Sequence, residues 1–185
     1  IDGSQYAALF ADTLDISLKN EFLPFLYPNQ YVNFTPDSES SKLALSIVSE
    51  DTSDVDALQA IYNYVVENLT YDYDLADTVE SGYIPDVDAT LQSKKGICFD
   101  YAALTTAMLR ARDIPCKLQI GYAGTVKHAW INVYIRSKGW VDKAVEFSGD
   151  SWSRMDPTFD SNSQDAETIQ QYIGDDDNYS VQFTR

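Results

Sequence analysis

The spacing of apolar residues along the chain changes from helical to alternating near residue 117. Residues 4–27 place apolar side chains at roughly helical intervals until two prolines break the pattern. A polar start signal at 36–40 precedes a second helix over 42–50. Ser53 begins a capping sequence for a third helix, whose apolar face comprises Val55, Leu58, Ile61, Tyr62, Val65 and Leu69. The first part of the chain therefore predicts three helices.

Downstream of these helices the pattern predicts a loop, a further helix and then a sheet. Residues 75–95 form the loop, with one helical turn near Thr90, and residues 98–112 form the helix. From residue 117 apolar and polar residues alternate, which is typical of an antiparallel meander. The remaining predicted elements are strands at 117–122, 128–135, 140–147 and 152–156, a helix near 166–172 and a strand at 179–184.

Helices first and strands later indicate an α+β fold, in which a helix packs on an antiparallel sheet. A chain of 185 residues fits one domain, and its 44% apolar and 13% aromatic content argues against global disorder. We expect residues 51–185 to form the functional domain and residues 1–50 to form a helical extension packed on it.

The charge of the chain excludes some partners. Lysine and arginine number 13 and aspartate and glutamate 29, a formal net charge of −16, which argues against binding nucleic acid or anionic membrane surfaces. No apolar run is long enough to cross a membrane. The chain begins at Ile1 rather than methionine, so an upstream leader could have been removed. We expect a bacterial protein that is secreted or displayed at the cell surface.

A thiol, an imidazole and a carboxylate provide candidate catalytic chemistry. Cys98 directly precedes the alanine-rich helix, where helix N-terminal amides would stabilise a thiolate. His128, the only histidine, begins a predicted strand, and the strand that ends at Asp156 would bring its carboxylate beside the imidazole. These are the parts of a cysteine nucleophile, its general base and acid, and the group that orients the base.

Each of these residues also has a structural interpretation. A single cysteine or histidine is often part of a core, and Asp156-Pro157-Thr158 is a common turn sequence. Cys116 follows Pro115 and is interpreted as a small buried apolar residue; a disulfide to Cys98 is an alternative that the sparse cysteine content disfavours. The acidic run at 175–177 lacks the ligand alternation of a calcium loop, and there is no zinc pattern. We expect no cofactor and no metal.

The segments around these residues resemble the transglutaminase-like superfamily, which has a papain-like cysteine fold, and its microbial branch in particular. The resemblance runs from about residue 54 to residue 160, and the matching segments are Gly96 to Ala102, Gly121-Tyr122, His128 to Tyr134, Trp152 to Thr158 and the upstream Tyr71-Asp72. It implies a cysteine-bearing helix packed on an antiparallel sheet that bears the histidine and aspartate. It also implies a thioester intermediate formed on an amide.

One departure from the animal cross-linking enzymes bears on the reaction. In those enzymes a tryptophan follows the cysteine and another lies upstream, whereas here Phe99 follows the cysteine and no tryptophan precedes it. The resemblance therefore favours hydrolysis, as in a cysteine protease, over protein cross-linking. An oxyanion donor beside the Cys98 amide is still needed, and the candidates are Gln92, Tyr71 and Tyr73.

Three functions remain open at this stage. The first is a cysteine-dependent acyltransferase or protease acting on protein or peptide amides. The second is a non-catalytic surface-binding or scaffold module with a vestigial triad, which residues 1–50 could block. The third is an amidase that acts on cell-wall peptides. Rapid labelling of Cys98 by a thiol reagent would separate an enzyme from a scaffold.

Overall fold

The computed structural model describes residues 15, 17–141, 145–148, 151–154 and 179–185, and for 145–148 and 151–154 it describes the backbone alone. A 3₁₀ turn at Leu23–Phe25 comes first. The helices are α1 Glu39–Ile47, α2 Asp54–Asn68, α3 Tyr73–Thr78, α4 Val87–Ser93 and α5 Cys98–Arg110. The strands are β1 Thr70–Tyr71, β2 Lys95–Gly96, β3 Cys116–Ala123, β4 Val126–Ile135, β5 Gly139–Val141, β6 Val145–Ser148, β7 Ser151–Arg154 and β8 Tyr179–Thr184.

An antiparallel sheet with the order β5-β4-β3-β8 forms one layer of the described structure. The two-stranded pairs β1-β2, which is parallel, and β6-β7, which is antiparallel, lie apart from it. Helix α5 packs against β3 and β4 on one side and against α1, α2 and α4 on the other. The structure thus confirms the α+β fold with a central cysteine-bearing helix.

The core lies between α5 and the sheet because both contribute an apolar face. Ten side chains of α5 from Tyr101 to Arg110 are buried. Alternate residues of β4 face this core, namely Ala129, Ile131, Val133 and Ile135. The small residues Ala102, Ala103 and Ala107 allow the helix to lie close to its neighbours. The alternation predicted for β4 is confirmed.

Several predicted segments differ from the structure, and the helix predicted over 42–50 begins and ends three residues earlier, at Glu39–Ile47. In the described part of the segment predicted as a first helix, residues 17–27, the backbone is irregular apart from the 3₁₀ turn. Its aromatic residues instead pack on the outer face of the sheet, where Phe22 lies 4.5 Å from Tyr134 and Phe25 lies 5.5 Å from Trp140. The predicted loop at 75–95 contains most of α3 and all of α4, which leaves residues 79–86 between the two helices.

Aspartate side chains explain why α3 and α4 form. Asp72 accepts a hydrogen bond from the amide of Leu75, and Asp86 accepts one from Ala89, so each helix has an N-cap. The predicted strand at 140–147 is divided between β5 and β6. The helix predicted near 166–172 lies outside the described residues.

Candidate active site

Cys98 is the first residue of α5. Gly96 ends β2, Ile97 has an extended conformation (φ −99°, ψ 177°), and the helix begins at the next residue. The Cys98 side chain is half-buried. The first amides of a helix lack intrahelical acceptors, and the helix dipole is positive at this end, so a thiolate is stabilised there. The predicted position of the cysteine on the helix is therefore confirmed.

An aspartate that the sequence analysis did not single out supports this helix terminus. The buried carboxylate of Asp100 accepts hydrogen bonds from the Ile97 amide at 2.8 Å and from the Tyr83 hydroxyl at 2.7 Å. Burial raises the pKa of Asp100, although both hydrogen bonds oppose the shift. A side chain at Gly96 would interfere, because a Cβ there would lie 2.6 Å from the Asp100 Cβ. The glycine two residues before the cysteine therefore makes room for Asp100.

His128 lies on β4, and its side chain is 5% exposed. The imidazole stacks on Trp130, with ring centroids 6.2 Å apart, and meets the edge of Tyr179 at 6.4 Å. These aromatic rings shield the imidazole from water and fix the orientation of its ring. His128 is paired in register with Gly121 of β3.

The lengths of α5 and β3 relate the position of Cys98 on the helix to that of His128 on β4. Arg110 at the other end of α5 donates two hydrogen bonds to the Cys116 carbonyl, at 3.0 and 2.8 Å, which fixes the start of β3 beside the end of α5. From there back to Cys98 the helix spans about 18 Å. From Cys116 to Gly121 the strand spans about 17 Å. Gly121 and its partner His128 are therefore separated from Cys116 by about the length that separates Cys98 from Arg110.

The other predicted site residues have varied positions. Asp156 lies outside the described residues. Tyr71 is close to the cysteine in the fold, since β1 pairs with β2 and places Tyr71 opposite Gly96. Tyr73 is 51% exposed and packs edge-on against Tyr71 at 5.0 Å. Gln92 is exposed on α4, which packs on α5.

Cys116 has the structural role that the sequence analysis assigned to it. Both cysteines are free, and Cys116 is fully buried beneath the sheet. Burial raises the pKa of its thiol to about 11, although the Thr106 hydroxyl at 3.5 Å opposes the shift. Cys98 is therefore the accessible thiol of the pair.

Comparison with known proteins identifies the family. The sequence model of the transglutaminase-like superfamily matches residues 41–157, which include Cys98, His128 and Asp156. The chain belongs to the transglutaminase-like superfamily. The match begins within α1, so the superfamily domain includes the helices that pack on α5.

Similarity to individual proteins extends over parts of the chain. The UPF0252 protein MJ1282 of Methanocaldococcus jannaschii is 35% identical over 74 residues, which is 37% of this chain and 21% of that protein. The crystal structure of a candidate cysteine protease from Cytophaga hutchinsonii has a TM-score of 0.58 at 22% identity, over 91% of this chain and 48% of that one. The periplasmic domain of TgpA from Pseudomonas aeruginosa has a TM-score of 0.53 at 18% identity, over 77% of this chain and 50% of that one.

These likenesses have a defined extent. The structural neighbours share the fold of this transglutaminase-like chain, which spans about half the length of each of them and about a fifth of the curated relative. Among the described residues no cluster of three or more histidine, cysteine, aspartate or glutamate side chains could hold a metal ion. In the same part of the chain, no helix is long and apolar enough to cross a membrane.

Proposed function

We propose that the protein is a cysteine-dependent acyl-transfer enzyme that acts on protein or peptide amides through a thioester. The observation that carries the proposal is the position of Cys98 at the N-terminus of α5, a helix that packs on the strand bearing His128, in a chain of the transglutaminase-like superfamily. Cys98 is the nucleophile, His128 the general base and acid, and Asp156 the residue that orients the imidazole.

The reaction has two steps. In the first, His128 takes the proton of the Cys98 thiol, and the thiolate attacks the amide carbonyl. When the C–N bond breaks, the imidazolium returns that proton to the leaving amine, and the acyl group stays on sulfur as a thioester. In the second step His128 takes a proton from water as its oxygen attacks the thioester carbonyl; the C–S bond then breaks, the acid is released, and the imidazolium returns its proton to the Cys98 thiolate.

The oxyanion that forms in each step needs hydrogen-bond donors. The Cys98 amide lies at the helix N-terminus and is one donor. Tyr71 is the best placed of the three side-chain candidates, because β1 holds it beside Gly96. We expect Gln92→Ala to lower turnover more than binding if Gln92 is the second donor; an unchanged rate would remove Gln92 in favour of Tyr71.

The identity of the residue after the cysteine supports hydrolysis rather than cross-linking. The Phe99 ring lies between Tyr31, stacked at 6.0 Å, and Tyr83, edge-on at 6.5 Å. Here an aromatic residue without a donor group occupies the position at which the cross-linking enzymes have tryptophan. A peptide substrate, or a cell-wall peptide, outside the cell or at its surface is consistent with the net charge of −16.

Alkylation of Cys98 by iodoacetamide from pH 4 to 9 tests the proposal. The rate is measured for the wild type, His128→Ala and the more conservative His128→Asn, with the modified cysteine identified by mass spectrometry. A Cys–His pair should label rapidly well below the ordinary thiol pKa of about 8.5, and both variants should lose that reactivity. Buried Cys116 is an internal control, because it should remain unlabelled.

A slow, ordinary thiol profile in all three proteins would refute the pair. It would favour a second function, a surface-binding or scaffold module with a vestigial triad. One contact supports this alternative: Tyr31, from the N-terminal segment, stacks on Phe99 directly after the cysteine. That contact places residues from outside the superfamily match against the first turn of α5.

A further inference from the structure

Asp100 and Tyr83 form a buried pair at the first turn of α5. Asp100 is 1% exposed, and each of its carboxylate oxygens accepts one hydrogen bond. One bond comes from the Ile97 amide, directly before the cysteine, and the other from the Tyr83 hydroxyl. Tyr83 belongs to residues 79–86, which connect α3 to α4. The pair therefore joins this connection to the turn that carries Cys98.

The geometry of the turn shows what the carboxylate does. The Ile97 carbonyl accepts hydrogen bonds from the amides of Asp100 and Tyr101, at 2.9 and 3.1 Å, which closes the first turn. Asp100 returns a bond to the Ile97 amide, so both backbone groups of Ile97 are held. Because Ile97 has no side-chain oxygen to cap the helix, Asp100 provides the side-chain part of the cap. The amides of Cys98 and Phe99 remain directed out of the helix end.

We propose that Asp100, held by Tyr83, is a positioning residue that fixes the first turn of α5 so that the Cys98 thiolate and its amide keep their reactive geometry. The inference rests on the proposed function of Cys98 as nucleophile. Asp100 acts through Ile97 and not on substrate. Its contribution is geometric, and a neutral side chain that keeps both hydrogen bonds should replace it.

The charges around the pair support a geometric role. A carboxylate near a thiolate would oppose its formation by like-charge repulsion, so Asp100 does not activate Cys98 through charge. A second carboxylate, that of Asp72, raises the pKa of Asp100, but the Lys95 ammonium lies 3.1 Å from Asp72 and neutralises its charge. Burial and the bond to Asp100 raise the pKa of Tyr83, which keeps the phenol protonated as a donor.

Three variants separate geometry from charge. Asp100→Ala removes both hydrogen bonds. Asp100→Asn retains them, because the amide oxygen accepts from Ile97 while its NH₂ donates to the Tyr83 hydroxyl. Tyr83→Phe leaves the carboxylate but removes the bond that anchors it. Asp54→Ala is the matched control, since Asp54 is also a buried acid in the first turn of a helix, where it binds Arg136 of the sheet layer.

The assay is iodoacetamide labelling of Cys98 against pH in the full chain, with the unfolding temperature of each variant measured alongside. We expect Asp100→Ala to slow labelling at pH 6 about fivefold, the effect of losing a helix cap, and to move the midpoint to higher pH. Tyr83→Phe should change the labelling rate and its midpoint pH in the same directions, by smaller amounts. Asp100→Asn should stay close to the wild type, and Asp54→Ala should lower the unfolding temperature without changing the profile.

Each result has a definite meaning. A lower midpoint in Asp100→Ala, or an Asp100→Asn profile like that of the alanine variant, would show that charge dominates and would overturn the inference. Wild-type labelling that is rapid and dependent on His128 but unchanged in all Asp100 and Tyr83 variants would overturn only the positioning role. A wild type that labels as an ordinary thiol would overturn the proposed function and this inference with it.

Discussion

Replacing Arg110 by methionine tests how the end of α5 opposite Cys98 is held. Arg110 is 2% exposed, and among the described residues its guanidinium donates to backbone carbonyls alone: two bonds to Cys116, one at 2.7 Å to Tyr27 and one at 2.9 Å to Arg185. Methionine preserves the apolar stem and removes all four bonds. The variant therefore measures whether these bonds outweigh the cost of burying a cation.

The size of the stability loss depends on whether each carbonyl can form another hydrogen bond. Bonds from a charged donor contribute about 1.5–3 kcal/mol each, so the bidentate pair on buried Cys116 provides the largest part. The Arg185 carbonyl keeps its bond from the Leu118 amide at 2.8 Å, and the carbonyl of exposed Tyr27 can accept a hydrogen bond from water instead. Removing the buried cation returns several kcal/mol of desolvation, as the lowered pKa of Arg110 indicates. We expect a net loss of about 3 kcal/mol in the free energy of unfolding.

Urea denaturation followed by tryptophan fluorescence measures this loss. Arg112→Met is the control, because Arg112 donates one bond at 2.7 Å to the Ser49 carbonyl from a more exposed position. It should cost about 1 kcal/mol or less. An Arg110→Met protein as stable as the wild type would refute the reasoning, since it would show that desolvation cancels the four bonds.

Three further predictions concern a thiol, an ion pair and a glycine. Cys116, whose thiol pKa is raised to about 11, should resist iodoacetamide in the folded protein up to about pH 9 and react once urea is added; earlier labelling would contradict its burial. The bonds from Arg136 lower the pKa of Asp54 below its ordinary 3.8, so the pair stabilises the protein above that pH and the stabilisation is lost as the pH falls through the lowered pKa. The unfolding temperatures of the wild type and Asp54→Asn should therefore converge below about pH 4, and a gap independent of pH would refute the linkage. Gly121→Ala should overlap the Ser180 carbonyl and separate β8 from β3, which faster hydrogen exchange of the Leu118 amide would report; unchanged exchange would show that the sheet adapts.

The local pattern of apolar and polar residues was sufficient to predict the helices and strands that bury one face. Helices α2 and α5 begin and end within about two residues of their predicted limits, because amphipathic spacing and caps define them. Residues 17–27, the described part of the first predicted helix, are irregular because their aromatic side chains cover Tyr134 and Trp140 of the sheet. The Asp72 and Asp86 caps were readable signals for α3 and α4.

The site was predictable only in part. Cys98 was assigned to a helix N-terminus because an alanine-rich run follows it, and the structure confirms this position. The link between Tyr83 and Asp100 spans 17 residues and follows no periodicity, so it appears only once the chain has folded. An acid two residues after the cysteine, with glycine two residues before it, was the available signal. The catalytic roles of Cys98, His128 and Asp156 remain predictions.

The stacking of His128 on Trp130 gives the imidazole an optical reporter. The two rings are 6.2 Å apart with an interplanar angle of 18°. Trp140 is a separate reporter, because Lys117 lies 3.8 Å over its ring on the outer face of the sheet. With Trp140 and Trp152 replaced by phenylalanine, Trp130 would be the sole indole. A change in its emission would then report a change in the surroundings of the His128 ring without a substrate or an added dye.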